Sequence, residues 1–369
     1  MSGRQLLLMA SLSLAGIAVL AAATVCMTSG CSTLGYYAQS VGGHIDLLRS
    51  ARPVPQWLDD QAAPPPLKDR LALSQRIRDY AVSELKLPDN ASYRRYADLK
   101  RNAAVWNVVA APELSLTLKT WCFPIVGCVG YRGYFDRAAA DAFADEQRAL
   151  GLEASVYAVP AYSTLGALPG EFFADPLLST FINYPEGELA RLIFHELSHQ
   201  VAFAKGDTVF NESFATAVER IGGLRWLDQR ASQAARDEYQ HYDERRRQFR
   251  ALVGKYRELL AAIYKGADTD EHKRAAKAAL MVQMRAEYET LKATAWGGFS
   301  GYDGWFARAN NASFGVLAAY TELVPAFEAL FEREGRDFKR FYAVVKRLAA
   351  LPKAERRAAL GVNETDAGD

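Results

Sequence analysis

The chain has 369 residues, 50% of them apolar, enough for a sizeable core and for one large domain or two ordinary ones. Lys and Arg number 44 against 43 Asp and Glu, leaving a net charge of +1. That balance removes the global electrostatic ground for nucleic acid, or a strongly acidic surface, as a partner.

At the start, one basic residue, Arg4, precedes a nearly uninterrupted apolar stretch over 6–25, and Thr28-Ser29-Gly30-Cys31 follows. A charged start, an apolar run and small residues in that order read as an export signal. The small residues ahead of Cys31 resemble a lipobox, where signal peptidase cuts before a lipid-bearing cysteine, although Thr28 stands where Leu is commonest. The resemblance implies a signal peptide over 1–30, a lipid anchor on Cys31 and a mature chain facing the periplasm. Ser32, not being Asp, directs it to the outer membrane of a Gram-negative cell. About 20 apolar residues also suffice to span a bilayer, so an uncleaved N-terminal anchor is the alternative. Either way the bulk of the chain ends outside the cytoplasm.

Residues 31–66 read as an envelope-proximal segment closed by Ala62-Ala63-Pro64-Pro65-Pro66, a stiff stretch expected not to be helical, with a single domain over 67–369. A helix is expected over 67–87, then strands over 104–110, 114–121 and 128–135, a helix over 137–150 and a strand over 154–160. Cys26 leaves with the signal and Cys31 is consumed by lipid, so Cys122 and Cys128 remain. Pro124 and Gly127 let the chain double back, and an oxidising compartment would join the two; buried free thiols are the alternative. From Glu186 onward the pattern is helical. Long charged helices over 228–264 and 270–293 flank Gly266-Ala267-Asp268 as an antiparallel hairpin whose charges read as a solvated face. Two more helices are expected over 313–333 and 338–351. The fold class is therefore α+β, predominantly helical, with a small β-sheet packed on the helix that starts near Glu186.

That helix carries His195-Glu196-Leu197-Ser198-His199 within an apolar run that includes Leu189, Leu192, Ile193, Phe194, Leu197 and Val201. A spacing of four puts both imidazoles on one face, one turn apart. Two nitrogens so related can occupy two corners of a tetrahedral zinc site. Glu196 then lies beside the metal, where a general base takes a proton from zinc-bound water. The bland reading is two core histidines on a buried helix.

Downstream, Phe210-Asn211-Glu212-Ser213-Phe214-Ala215 lies on a second helix starting near Asp207 or Thr208. An Asn-Glu pair followed by a small residue, Phe and Ala resembles the third-ligand helix of gluzincins, the thermolysin-like and aminopeptidase superfamily. That resemblance implies Glu212 as the third ligand. The gap from His199 is shorter than in the best-known gluzincins, and Glu219, farther on, is the rival. The two carboxylates are seven apart and share a helix face, so the one off the metal is expected to orient His195 or His199.

The lipobox, the cysteine pair and these two helices together look like a family of bacterial lipoproteins described as predicted zinc aminopeptidases. The resemblance is strongest over 162–178 and 194–223. It implies a zincin-like fold, a Zn²⁺ cofactor and a peptide or protein substrate in the cell envelope. The Gly-x-Met-Glu-Asn motif with which well-studied aminopeptidases hold a substrate's amino group is absent, so exopeptidase and endopeptidase both stay open. Ala161-Tyr162-Ser163-Thr164-Leu165-Gly166 is a substrate-binding strand edge or an ordinary loop. Tyr320 is the candidate donor to the developing oxyanion, and His44, His241 and His272 read as surface residues. Two other classes remain: a metal-bound but inactive assembly factor or chaperone, and a non-peptide metallohydrolase.

Overall fold

The computed structural model describes residues 31–123, 127–163 and 170–362. The export signal and lipobox expected over 1–30 lie outside the described residues, as do 164–166 of the candidate substrate edge. The described chain opens with α1 (Cys31–Ser50), β1 (Arg52–Pro53), α2 (Val54–Asp59) and α3 (Pro65–Ser83). Helix α3 starts inside the proline run expected to be non-helical. Pro65 and Pro66 take its first turn, where a missing N–H costs nothing and the fixed φ is already helical. Leu47, Leu48 and Val54 share a core with Leu71 and Ile77 of α3.

Next come β2 (Arg95–Ala97), β3 (Val105–Pro112), β4 (Trp121–Phe123), β5 (Gly127–Val129), β6 (Arg132–Tyr134), α4 (Arg137–Ala149) and β7 (Leu152–Val159). Strand β8 (Leu177–Leu178) follows a 3-10 turn at Glu171–Phe173. The central sheet is antiparallel in the order β6-β3-β7, with Val108 opposite both Arg132 and Val156. Alternation along β3 sends Trp106, Val108 and Ala110 to a face shared with Ala140 and Ala144 of α4, and Val109 and Ala111 to the other. A strand covered on both faces is apolar almost throughout, which is why 105–111 is buried without a break. A second sheet has the order β1-β2-β8, and β4 and β5 form a hairpin in which Cys122 opposes Cys128 and is joined to it by a disulfide. The strand expected over 114–121 is confined to its end. Ser115 Oγ accepts from Thr117 N at 3.1 Å, a local turn that competes with ladder pairing.

The rest is helical: α5 (Glu186–Ser198), α6 (Thr208–Arg230), α7 (Gln233–Lys265), α8 (Asp270–Thr294), α9 (Asp303–Arg308), α10 (Asn311–Ala319), α11 (Val324–Arg333), α12 (Phe338–Ala349) and α13 (Lys353–Ala359). The fold is α+β and predominantly helical, with α7 and α8 as the long hairpin. Ser232 caps α7 through the N–H of Ala235, so that helix begins later than the charge pattern suggested. The single helix expected over 313–333 is two, because Pro325 lacks an N–H and its ring excludes the carbonyl one turn back. The break leaves Tyr320 as the C-cap of α10.

Helices α5 and α6 pack closely through small residues. A Cβ on Gly222 would lie 2.6 Å from Leu85 and 3.0 Å from Phe194, and one on Gly223 would lie 2.6 Å from Arg191 Cγ. Both positions must be glycine for the two helices to approach as they do.

Candidate metal centre

Leu189, Ala190, Ile193, Phe194 and Leu197 form a fully buried stripe on α5 and fix its rotation, which turns His195 and His199 toward the sheet. The helix ends at Ser198 with His199 as its C-cap, earlier than the apolar run to Val201 suggested. Ser198 Oγ donates to His195 O at 2.6 Å, drawing a polar side chain back onto the last turn.

The return to α6 is pinned by two side chains. Asn211 Oδ1 accepts from Ala204 N at 2.7 Å while its Nδ2 donates to Ala204 O at 2.9 Å. Asp207 caps α6 by accepting from Phe210 N at 3.1 Å, and the same carboxylate binds Arg356 and Arg357 of α13. All of these groups are buried.

This loop sets Glu212 over the histidines. Glu212 Oε2 lies 3.2 Å from His195 Nε2 and 3.7 Å from His199 Nε2, and the ligand atoms of the three residues all fall within 4.8 Å of one another. Two imidazole nitrogens and one carboxylate oxygen converging in this way can hold a divalent metal ion. Glu219, the rival, sits behind His195, with Oε2 3.0 Å from Nδ1 and its other oxygen on Arg191. Arg191 is 4% exposed and also faces the hydroxyl of Tyr239 at 3.4 Å.

The electrostatics follow from this packing. Burial would raise the carboxyl of Glu219, but Arg191 and His195 together more than offset it and hold the group well below the usual carboxylate range. Burial likewise opposes charge on His195, and Glu212 and Glu219 together reverse that, keeping its pKa well above the ordinary value. His199 is pushed down to about 4, chiefly by burial. Glu196 is pushed up to about 7, again chiefly by burial, with Glu212 and Asp175 adding to the effect and His195 opposing it.

His195, Glu196, His199, Glu212, Tyr131 and Tyr320 line a cavity of about 300 Å³. The ring of Tyr320 stacks on His195, 6.1 Å between centroids and tilted by 23°. Residues 161–163 form no strand, and Ser163 instead donates to Asp175 at 3.1 Å. His241 and His272 are exposed, but His44 is not a surface residue. It is 9% exposed and packed on Tyr162 and Phe173. Arg191 and Tyr131 went unseen in the sequence, as did the parts that Asp207 and Asn211 of the second helix play in pinning its loop. Of these, Arg191 left a signal, standing four residues before His195 on the same face.

Comparison with curated proteins and with solved structures gives no match. The family model described as Putative aminopeptidase matches residues 35–360, from within α1 to the end of α13. Since that match takes in the histidine helix, the Glu212 helix and the sheet beside them, the chain belongs to the Putative aminopeptidase family, peptidase-type by that description.

Proposed function

We propose that the protein is a zinc-dependent peptidase of the bacterial cell envelope. The observation that carries this reading is the convergence of His195, His199 and Glu212 within 4.8 Å, at the wall of a cavity that also holds Glu196. Two imidazoles and one carboxylate are the donor set of catalytic zinc sites, which keep one position open, whereas calcium and magnesium call for more oxygen ligands. Zinc bound there would polarise a carbonyl and lower the pKa of water toward ~7.

The chain's own groups carry the proton and hold the geometry. Glu196 takes a proton from the attacking water onto its carboxylate and passes it to the departing amine. A carboxyl at this position can do both. Glu219 accepts from the N–H at Nδ1 of His195, so Nε2, on the Glu212 side of the ring, is the nitrogen that would serve a metal once its proton has left. Tyr320, stacked on His195, is placed to donate to the carbonyl oxygen as negative charge develops.

Envelope location rests on the sequence over 4–31, read as an export signal with Cys31 as the lipid-bearing residue. The Cys122–Cys128 disulfide supports an oxidising compartment. The test combines metal analysis of purified protein with a peptide-library cleavage assay. One zinc per chain is expected, with cleavage by wild type and none by Glu196→Gln. Absence of bound metal, or undiminished turnover in the variant, rejects the reading.

A further inference from the structure

A second cavity, of about 470 Å³, adjoins the first, and Tyr131 and Tyr320 line both. Its walls include Val109, Leu116 and Leu118, but four cations also reach it: Arg257 and Lys265 from α7, Lys353 and Arg357 from α13. Two carboxylates line it, Asp207 and Glu322, and Asp207 is already bound by Arg356 and Arg357. In a chain whose net charge is only +1, this is a local excess of positive charge beside the candidate metal centre.

The cations are also short of partners. Arg357 is 3% exposed, and although Nη2 donates to Asp207 at 2.9 Å, Nη1 has no hydrogen-bond partner among the described residues. Nε of Arg257 is buried and equally unpartnered. Arg257, half-buried, and Lys265 and Lys353, both exposed, form no ion pair among the described residues. Unpaired buried donors on charged groups are costly, and a planar guanidinium matches a carboxylate best of all.

We infer that this cavity is a subsite for a carboxylate of the substrate, an inference that rests on the peptidase reading and names its substrate class. The carboxylate is either the free C-terminus of the peptide or an acidic side chain. An extended peptide advances ~3.4 Å per residue, so one whose scissile carbonyl lies over His195, His199 and Glu212 crosses the two tyrosines within a few residues. A free C-terminus therefore reaches the cations only when the scissile bond lies within a few residues of it, whereas an acidic side chain reaches them wherever it stands a few residues from the scissile bond.

The test measures equilibrium binding of fluorescently labelled short peptides to the full-length, zinc-loaded Glu196→Gln variant, which binds without turnover. Peptides are paired as free acid against C-terminal amide, and as Glu against Gln at each internal position. A charge-assisted contact should make the carboxylate-bearing member bind ~10- to 100-fold tighter, and adding Arg257→Gln and Lys265→Gln should abolish the difference. Preference for the free acid identifies the terminal carboxylate, and preference for Glu identifies a side chain. Unchanged melting and zinc content in the substituted proteins show that the site itself is intact. Equal binding of paired peptides, or a preference that survives both substitutions, overturns the inference. Because binding is read without hydrolysis, failure of wild type to cleave any peptide would sink the peptidase reading separately.

Discussion

Glu219 Oε2 stands 3.0 Å from His195 Nδ1, while Glu212 Oε2 stands 3.2 Å from Nε2 of the same ring. One imidazole is held between two carboxylates of the same helix, and their roles separate in a metal-binding experiment. Glu212→Ala should lose zinc, whereas Glu219→Ala should keep it with affinity weakened ~10- to 100-fold. Full zinc occupancy in the first variant with complete loss in the second would reverse the assignment.

Gly223→Ala places a Cβ 2.6 Å from Arg191 Cγ. Arg191 is anchored by Glu219 and cannot swing aside freely. Denaturant unfolding should report a loss of about 1–3 kcal/mol, the usual cost of overpacking, together with weaker zinc binding as Glu219 is dragged from His195. A variant as stable as wild type, with undiminished zinc affinity, would show that the helices can part at no cost.

Asn211→Ala removes both side-chain hydrogen bonds to the backbone of Ala204 and leaves its buried N–H unpaired, while Ala204 O keeps the bond from Asp207 N at 3.1 Å. The expected cost is about 2–4 kcal/mol by unfolding. Asn211→Asp restores only the bond from the Ala204 N–H, so it should fall between wild type and Ala. Equal stability of Ala and wild type would remove Asn211 from the account of the loop.

Burial lowers the pKa of His44 below 6.5. The unfolded chain therefore binds this proton more readily than the folded one, so the stability linked to His44 is complete above 6.5 and drains away as pH falls below it. Thermal melts from pH 7.5 to 5.5 should show a smaller decline for His44→Phe, which keeps the aromatic contact with Tyr162 and Phe173 and removes the titration. Parallel declines in both proteins would remove His44 as the cause.

Replacing Cys122 and Cys128 by Ser opens the small loop they close. Loop-closure entropy puts the loss at about 2 kcal/mol. The lowered melting temperature should match that of wild type under reducing conditions, and a larger drop would mean that the β4–β5 hairpin does more than close its own loop.

The histidine pair was legible because a spacing of four on an apolar helix defines a face without outside help. The choice between Glu212 and Glu219 was not. Both share that face, and their heights over His195 depend on a loop whose shape is set by Asn211 reaching back to Ala204. A nearly continuous apolar run rich in Val marked β3, whereas the side chain of Ser115 cut short the strand expected after it. Tyr320 was named for its residue type and neighbourhood, but its place as a helix cap follows from Pro325, which divides an otherwise continuous helical pattern. His44 misled because its covering rings, Tyr162 and Phe173, come from more than a hundred residues away. Its own neighbours in sequence say nothing of them.

The carboxylate of Asp207, at the head of the Glu212 helix, is bound by Arg356 and Arg357, which lie 149 and 150 residues further along the chain. Synthesis delivers the N-terminal part first, so both histidines and Glu212 leave the ribosome long before the arginines that hold their loop. A chain at ~5–20 residues per second needs many seconds to bridge that gap. Throughout it the buried cap of α6 faces an uncompensated charge, which favours an open loop over a formed centre. Synthesis of α13 thus acts as a timer on the candidate metal centre. A nascent chain short of α13 carries every residue of the candidate centre, but the scaffold that would assemble them arrives with that helix.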